Sequence, residues 1–505
     1  MNTNRRLIVP LFYFALLFLF VSVVTVISQT ETPPAPAAPK TVSVPAVQEK
    51  KLPNGLTVAV IERKSSPIVT VQLLVRTGAS LEEENKAGLA NLTADMLVKG
   101  TKTRSATQIA DDMAFLGSEL NTGAGWDSST VSFTATPDKL PQAMSIMADV
   151  VLNPSFKQEE LDLLKSQTLD ELKSAMKQPG FIANYVASKY TFGEHPAGGT
   201  PESLPSISRE DISAFHKASY QPENAVLIFS GDIDIARATV LASTVFGRWR
   251  NPAGSKEIIA TMDEAPGTPP ETVVQSQGRN MLIIDLPKSG QAAVTVAKSV
   301  PVGRINFGGT SPTTQVSKEY YPAIVMNSVL GGGYSSRLNF EIRIKRGLSY
   351  GAGSGFAWRY DSSHFSARAQ TKSESAAEVA SLILNEIDRV INTDIPDSEL
   401  VPRKSVLTGS FNRNLETTAG LANALAELYI FDVPAGELNR YGKGVNSVTS
   451  MQIRDFASKA LNNGDVIIVG DYSVFKDDLA KRFPNVKVDV IKADDLDLSK
   501  DGLRK

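Results

Sequence analysis

Ser206-Ile-Ser-Arg-Glu-Asp-Ile-Ser-Ala-Phe215 leads into Ala225-Val-Leu-Ile-Phe-Ser-Gly-Asp232. About 240 residues later the same order returns as Ser447-Val-Thr-Ser-Met-Gln-Ile-Arg-Asp-Phe456 and Val466-Ile-Ile-Val-Gly-Asp471. In both copies the first segment has the pattern of an amphipathic helix, and the second is an apolar strand that ends in a turn. The repeat predicts two successive units of one α+β fold, each an antiparallel-rich sheet packed with helices.

Other segments fit the same pattern and predict the domain limits. Two β-rich runs, 56–62 and 69–76, are joined by the turn signal Ser65-Ser-Pro67 and are expected to pair antiparallel. Helical patterns cover 88–99, 106–116, 140–152 and 158–177. Residues 262–278 are rich in Pro, Gly, Thr and Glu and have no apolar period, which predicts a linker. We therefore expect domains at 49–261 and 279–492 and a tail at 493–505.

The N-terminal segment, residues 1–28, is expected to direct export. Asn4-Arg-Arg6 precedes an uncharged apolar run over residues 7–27, and a Pro/Ala-rich linker is expected at 29–48. The run is near the roughly 20 residues that span a bilayer, so a cleaved signal peptide and an uncleaved membrane anchor remain alternatives. Either alternative places the body outside the cytoplasm, in the periplasm or anchored at a membrane.

Composition excludes several classes of function. A formal net charge of −2 over 505 residues offers no electrostatic case for binding nucleic acid. The absence of cysteine removes thiolate zinc sites and thiol nucleophiles. The three histidines, His195, His216 and His364, are too far apart to form a local paired-histidine metal motif. We expect each of them to be a structural or surface residue.

The segment Gly88-Leu-Ala-Asn91-Leu-Thr-Ala94-Asp95-Met-Leu-Val-Lys-Gly-Thr101 resembles the zinc helix of the M16 (pitrilysin-like, inverzincin) peptidases. That helix carries His-x-x-Glu-His, in which two histidines bind zinc and the Glu activates water. Asn91, Ala94 and Asp95 stand at these positions, so neither imidazole nor the base is present. The resemblance implies an M16B-like subunit that holds no zinc of its own and is inactive alone.

Further motifs in the same order extend the resemblance over almost all of residues 49–490. They are Leu52-Pro-Asn-Gly-Leu56, Asn153-Pro-Ser-Phe156, His195-Pro196 and Gly331-Gly-Gly-Tyr-Ser-Ser-Arg-Leu338. The family fold implies two homologous domains facing a chamber that admits peptides or unfolded polypeptide. Glu171 matches the third zinc ligand, whereas Leu164 replaces a supporting family Glu. An oxygen cluster of Asn91, Asp95 and Glu171 has too few certain ligands to predict a cation site.

The second half retains more of the pattern. In Arg343-Ile-Lys-Arg-Gly-Leu-Ser-Tyr350, Arg343 and Tyr350 match the family pair that holds the substrate backbone and stabilises the oxyanion. The other interpretation places Arg343 on a helix surface and Tyr350 in a strand core. The resemblance therefore implies a substrate-binding subunit of an exported heterodimer, which donates Arg343 and Tyr350 to a partner carrying His-x-x-Glu-His and zinc. The alternative is a structural scaffold with no role in proteolysis.

Two glycine-rich segments complete the prediction. Gly331-Gly-Gly333 lacks the Lys-Ser/Thr of a phosphate loop and follows a helical pattern, so we expect a turn. Asn121-Thr-Gly-Ala-Gly125 is expected to be either an exposed edge strand that can pair with a peptide or a glycine-rich bulge.

Overall fold

The computed structural model describes residues 43–251, 279–305, 316–360 and 362–505. The predicted leader at 1–28, most of the predicted linker at 29–48 and the whole predicted linker at 262–278 lie outside these residues. Across the described segments, no helix is both long and apolar enough to cross a bilayer.

The first half forms a six-stranded mixed sheet in the order β1-β2-β6-β3-β5-β4. Only the β2–β6 pair is parallel, and the other neighbours are antiparallel. Every residue of β3 and β6 is buried, because these central strands are covered on both faces. The strands are β1 Gln48–Lys51, β2 Thr57–Glu62, β3 Val69–Val75, β4 Asn121–Ala124, β5 Ser129–Ala135 and β6 Ala225–Gly231.

The four helical segments predicted at 88–99, 106–116, 140–152 and 158–177 are confirmed to within two residues at each end. Each of α2 and α6 begins at a capping box, in which an N-cap serine and a side chain three residues on satisfy each other's backbone N–H groups. The helices are α1 Leu89–Leu97, α2 Ala106–Phe115, α3 Leu140–Leu152, α4 Gln158–Ala175, α5 Pro179–Tyr190, α6 Arg209–Ser219 and α7 Ile235–Phe246.

The second half repeats this design with the sheet order β12-β7-β11-β8-β10-β9. The repeated strand β11 lies between β7 and β8, as β6 lies between β2 and β3. The two-unit α+β prediction is therefore confirmed. The strands are β7 Met281–Asp285, β8 Gln291–Val300, β9 Ala352–Trp358, β10 Ser363–Lys372, β11 Asp465–Gly470 and β12 Val488–Lys492.

Helices of the second half occupy equivalent places in the chain order. The repeated helix α13 begins at a capping box of Thr449 and Gln452, as α6 does at Ser208 and Asp211. The helices are α8 Tyr320–Leu330, α9 Ala376–Asn392, α10 Asp397–Asn414, α11 Thr418–Ile430, α12 Glu437–Ser447, α13 Ser450–Ala460 and α14 Tyr472–Arg482.

The predicted pairing of β2 with β3 is wrong. Strand β6, which follows much later in the chain, lies between them and bonds to both. The seven residues of β6 are all buried, and a position between two partners satisfies the N–H and C=O groups on both of its edges. Long-range pairing therefore overrides the local turn signal.

The two halves exchange equivalent helices. Helix α5 of the first half places Ile182 and Val186 against β7, β8 and β11 of the second sheet. Helix α11 of the second half places Leu421 and Leu425 against β2, β3 and β6 of the first sheet. Each sheet thus has one face covered by its own helices and the other by a helix from the opposite half, so the apolar cores of the two halves are completed mutually.

Both ends of the described chain are fixed to this body. Within the predicted 29–48 linker, the backbone N–H of Val44 donates to Asn439 Oδ1 at 2.8 Å, and Asn439 Nδ2 donates to Val44 O at 3.0 Å. In the predicted 493–505 tail, Leu498 and Leu503 are buried against the same core as α5. The tail is therefore part of the folded second half, because its leucines cover apolar surface that α5 leaves open.

Candidate functional site

The degenerate zinc helix α1 is held at its first turn by a buried carboxylate. Glu82 Oε2 accepts a hydrogen bond from the backbone N–H of Gly88 at 2.9 Å, and its other oxygen accepts from Ala90. His195 Nε2 lies 3.0 Å from the same Oε2. A carboxylate at a helix N-terminus satisfies free N–H groups and interacts favourably with the helix dipole. Glu82 therefore fixes the start of α1.

The three motif positions on α1 do not form a metal site. Asn91 Nδ2 donates a hydrogen bond to Ala197 O at 2.7 Å, so the amide group of Asn91 already has a partner within this chain. Ala94 is 0% exposed and offers only a methyl group. Asp95 is half-buried, and burial raises the pKa of its carboxyl, which also feels the nearby charge of Glu171. The charge of Lys99 opposes this rise, so the ionisable neighbours that affect Asp95 are one cation and a second carboxylate, with no imidazole between them.

Glu171 lies on α4 with its side chain exposed. It is near enough to Asp95 for its charge to raise the pKa of the Asp95 carboxyl. Zinc in proteins normally takes three or four ligands drawn from His, Cys, Asp and Glu. In the described part of the chain, no group of three or more such residues is placed to share a metal ion. The residues at the vestigial motif therefore do not fit the zinc ion that the family resemblance implies for active members.

Arg343 and Tyr350 lie on the chain segment that connects α8 to β9 in the second half. Arg343 is exposed on the π-helical turn Phe340–Ile344, with its guanidinium 5.1 Å from the ring centre of Tyr334. Tyr350 is 94% exposed and stands just before β9. The strand-core interpretation of Tyr350 is therefore wrong. Among the described residues, no hydrogen bond, ion pair or ring contact joins this pair to Asn91, Ala94, Asp95 or Glu171.

The predicted glycine turn follows α8 directly. A Cβ atom on Gly331 would lie 2.2 Å from the backbone nitrogen of Ser354 on β9, so the close approach of two backbones requires glycine there. The predicted edge strand is also present, since β4 pairs with β5 and ends the first sheet. Strand β4 lies against α1.

A group of residues that the sequence did not reveal joins the two halves near His195. Arg359 of the second half forms two bonds to Glu194 of the first, at 2.8 Å and 2.6 Å. His364 Nδ1 lies 3.4 Å from the same carboxylate, yet burial and the charge of Arg359 lower its pKa to about 3, so the ring is neutral. Phe192 stacks on His364 with ring centres 4.0 Å apart.

All three histidines are packed into the structure, as expected from their spacing. His195 contacts the ring of Trp126 at 5.0 Å, and His216 Nε2 lies 2.9 Å from Val151 O. Burial lowers the pKa of His216 to about 4. The partners of these rings are remote in sequence, so no local spacing could have indicated them.

Two family descriptions match successive parts of the chain. Residues 57–198 match the description "Insulinase (Peptidase family M16)", and residues 206–407 match "Peptidase M16 inactive domain". The first match contains the degenerate helix α1, and the second contains Arg343 and Tyr350.

Related proteins agree with both matches. An uncharacterized zinc protease of Mycobacterium leprae is 27% identical over 437 residues, which cover 84% of this chain and 91% of that protein. Another from Rickettsia bellii is 26% identical over 344 residues, covering 67% and 77%. A solved peptidase M16 inactive domain from Pseudomonas fluorescens superposes with a TM-score of 0.72 at 24% identity, covering 84% of this chain and 98% of that one. A protease structure from Helicobacter pylori has a TM-score of 0.74 at 19% identity, covering 85% and 100%. The chain belongs to the M16 peptidase family.

Proposed function

We propose that this chain is a non-catalytic, substrate-binding subunit of an exported heterodimeric zinc peptidase. It presents Arg343 and Tyr350 to the zinc site of a partner subunit that carries an intact His-x-x-Glu-His. Peptides or unfolded polypeptides are its substrates, and zinc resides only in the partner. The apolar N-terminal segment, as a cleaved signal or an anchor, supports a place outside the cytoplasm.

The observation that carries the proposal is the burial of Ala94 and the lack of an ionisable group on its side chain. A fully buried methyl group stands where the family's water-activating carboxylate belongs, so this chain has no general base at that position. The two groups suited to binding a substrate carbonyl remain. Tyr350 is almost fully exposed, and within the described ranges the Arg343 guanidinium contacts only the ring of Tyr334, so both can meet a surface outside this chain.

Co-expression with a catalytic M16 partner tests the proposal. Arg343→Ala and Tyr350→Phe should each lower kcat about 10²–10³-fold, equivalent to about 2.7–4 kcal/mol, because each removes a donor to the developing oxyanion. The partner's zinc content and the assembly of the two chains should not change.

Matched controls separate this effect from general damage. Arg346→Ala removes a neighbouring exposed guanidinium that is paired with Glu341, and Tyr472→Phe removes a hydroxyl on α14. Both should retain full turnover. If Arg343→Ala and Tyr350→Phe also assemble and retain full turnover, the proposal is refuted and the structural scaffold becomes the better account.

A further inference from the structure

A cavity of about 760 Å³ opens where α5 crosses the second sheet. Its walls come from the first turns of α5, from strands β8 and β10, and from the segment 347–351, which contains Tyr350. The cavity therefore joins the first half, the second half and the proposed substrate-binding tyrosine. Its polar side chains include Asn184, Gln291, Tyr350, Arg368, Gln370 and Lys372.

Alternation along β10 brings two cations into this cavity. Arg368, Gln370 and Lys372 are exposed on one face of the strand, while Ala369 and Thr371 between them are buried on the other. Gly180 on α5 lets the Gln370 amide approach closely, since a Cβ there would lie 2.5 Å from Gln370 Nε2. The amide thus fills the wall between the two charges.

The cavity carries uncompensated positive charge. Arg368 donates from Nη1 to the neutral Asn184 Oδ1 at 3.3 Å. Within the described ranges, neither Arg368 nor Lys372 forms an ion pair, and no Asp or Glu lines the cavity. The N-terminal end of α5 adds the positive end of a helix dipole at the same wall.

These features select a carboxylate. Guanidinium and ammonium groups form charge-assisted hydrogen bonds with carboxylate oxygens, and amide and hydroxyl donors can complete the set. A cationic peptide segment would meet like charge without any compensating acid, so the same cavity rejects it. The neighbouring Tyr350 indicates that the ligand is a peptide bound in the proposed substrate path.

We infer that this cavity is a subsite for the carboxylate of a peptide, either the C-terminal α-carboxylate or an Asp or Glu side chain. The inference deepens the proposed function and rests on it, because it assumes that the surface around Tyr350 binds peptide. It assigns this chain a preference for peptides that present negative charge next to Tyr350.

Binding by the purified full chain tests the subsite without any partner. The probes are three versions of one short peptide of Ala, Ser and Leu with an uncharged coumarin label at its N-terminus. One has a free C-terminus, one is C-terminally amidated, and one is amidated with a Glu before the last residue. Fluorescence anisotropy measures Kd for wild type, Arg368→Gln, Lys372→Gln, the double variant and the control Lys476→Gln, which removes an exposed charge from α14.

Wild type should bind the free-acid peptide more tightly than the plain amide. Each single substitution should weaken that binding about fivefold, and the double variant should bind acid and amide alike. The control should behave as wild type. If the Glu-containing amide binds like the plain amide, the C-terminal carboxylate is the ligand; if it matches the free acid, a side-chain carboxylate is accepted.

Two results would overturn the inference. Equal wild-type binding of all three peptides, or a preference for acid that survives the double substitution, would show that Arg368 and Lys372 do not form a carboxylate subsite, while leaving peptide binding near Tyr350 intact. Absence of binding by any peptide would refute the subsite and peptide binding by the isolated chain together. The turnover measurements on Arg343 and Tyr350 then decide separately whether the proposed function survives.

Discussion

Exchange of α5 and α11 predicts that the two halves unfold as one unit. Leu425 on α11 belongs to the second half but is fully buried among strand residues of the first. Leu425→Ala should leave a cavity there and lower the free energy of unfolding by about 3 kcal/mol, within the range for buried leucines. Because the core is shared, both halves should lose that stability.

Hydrogen exchange followed by mass spectrometry measures the two halves separately. Amides of β6 report on the first half, and those of β11 report on the second. For amides whose hydrogen exchange requires the shared core to unfold, Leu425→Ala should accelerate hydrogen exchange in both strands about 100-fold. Leu163→Ala, at a side chain 55% exposed on α4, is the matched control and should change neither. Acceleration in only one of the two strands would refute mutual stabilisation.

Three further predictions concern metal, pH and the cap of α1. The purified chain should bind no stoichiometric zinc and should cleave no peptide. Metal analysis should detect new zinc binding only after Asn91→His, Ala94→Glu and Asp95→His are made together. If that variant folds and still binds no zinc, Glu171 is not the third-ligand position. The pKa values of His216 and His364, lowered from 6.5 to about 4 and about 3, mean that stability from their neutral rings is complete above pH 6.5 and is lost as pH falls below it. Urea midpoints should therefore fall between pH 7 and pH 5, and substitution of both rings by Gln should reduce that slope; an unchanged slope would contradict the assignment. Glu82→Gln should cost about 1–3 kcal/mol in urea unfolding, because an amide N–H would face backbone N–H groups of α1; wild-type stability in that variant would show that the cap contributes nothing.

Short-range patterns predicted some of the elements but not how they are assembled. The capping boxes at Ser208 and Thr449 and the apolar periodicity after them define two helices without reference to the rest of the chain. The apolar residues Ile182 and Val186 of α5 similarly indicate a buried face. Nothing in their spacing says that the surface they cover is the sheet of the other half, because periodicity reports burial and not the identity of the partner.

The candidate site was likewise predictable only in part. Helix α1 shows why its zinc-binding residues can be absent while the fold remains. Leu92 and Met96, four residues apart, are buried in the core and hold the helix against the first half. Asn91 and Asp95, also four apart, lie one residue earlier on a less buried face. Packing and zinc ligation therefore depend on different faces of one helix, so the sequence could predict both a retained fold and a missing zinc site. The family resemblance already indicated Glu171 as a neighbour of Asp95. The hydrogen bond from Asn91 to Ala197 joins distant segments, and only the folded structure reveals it.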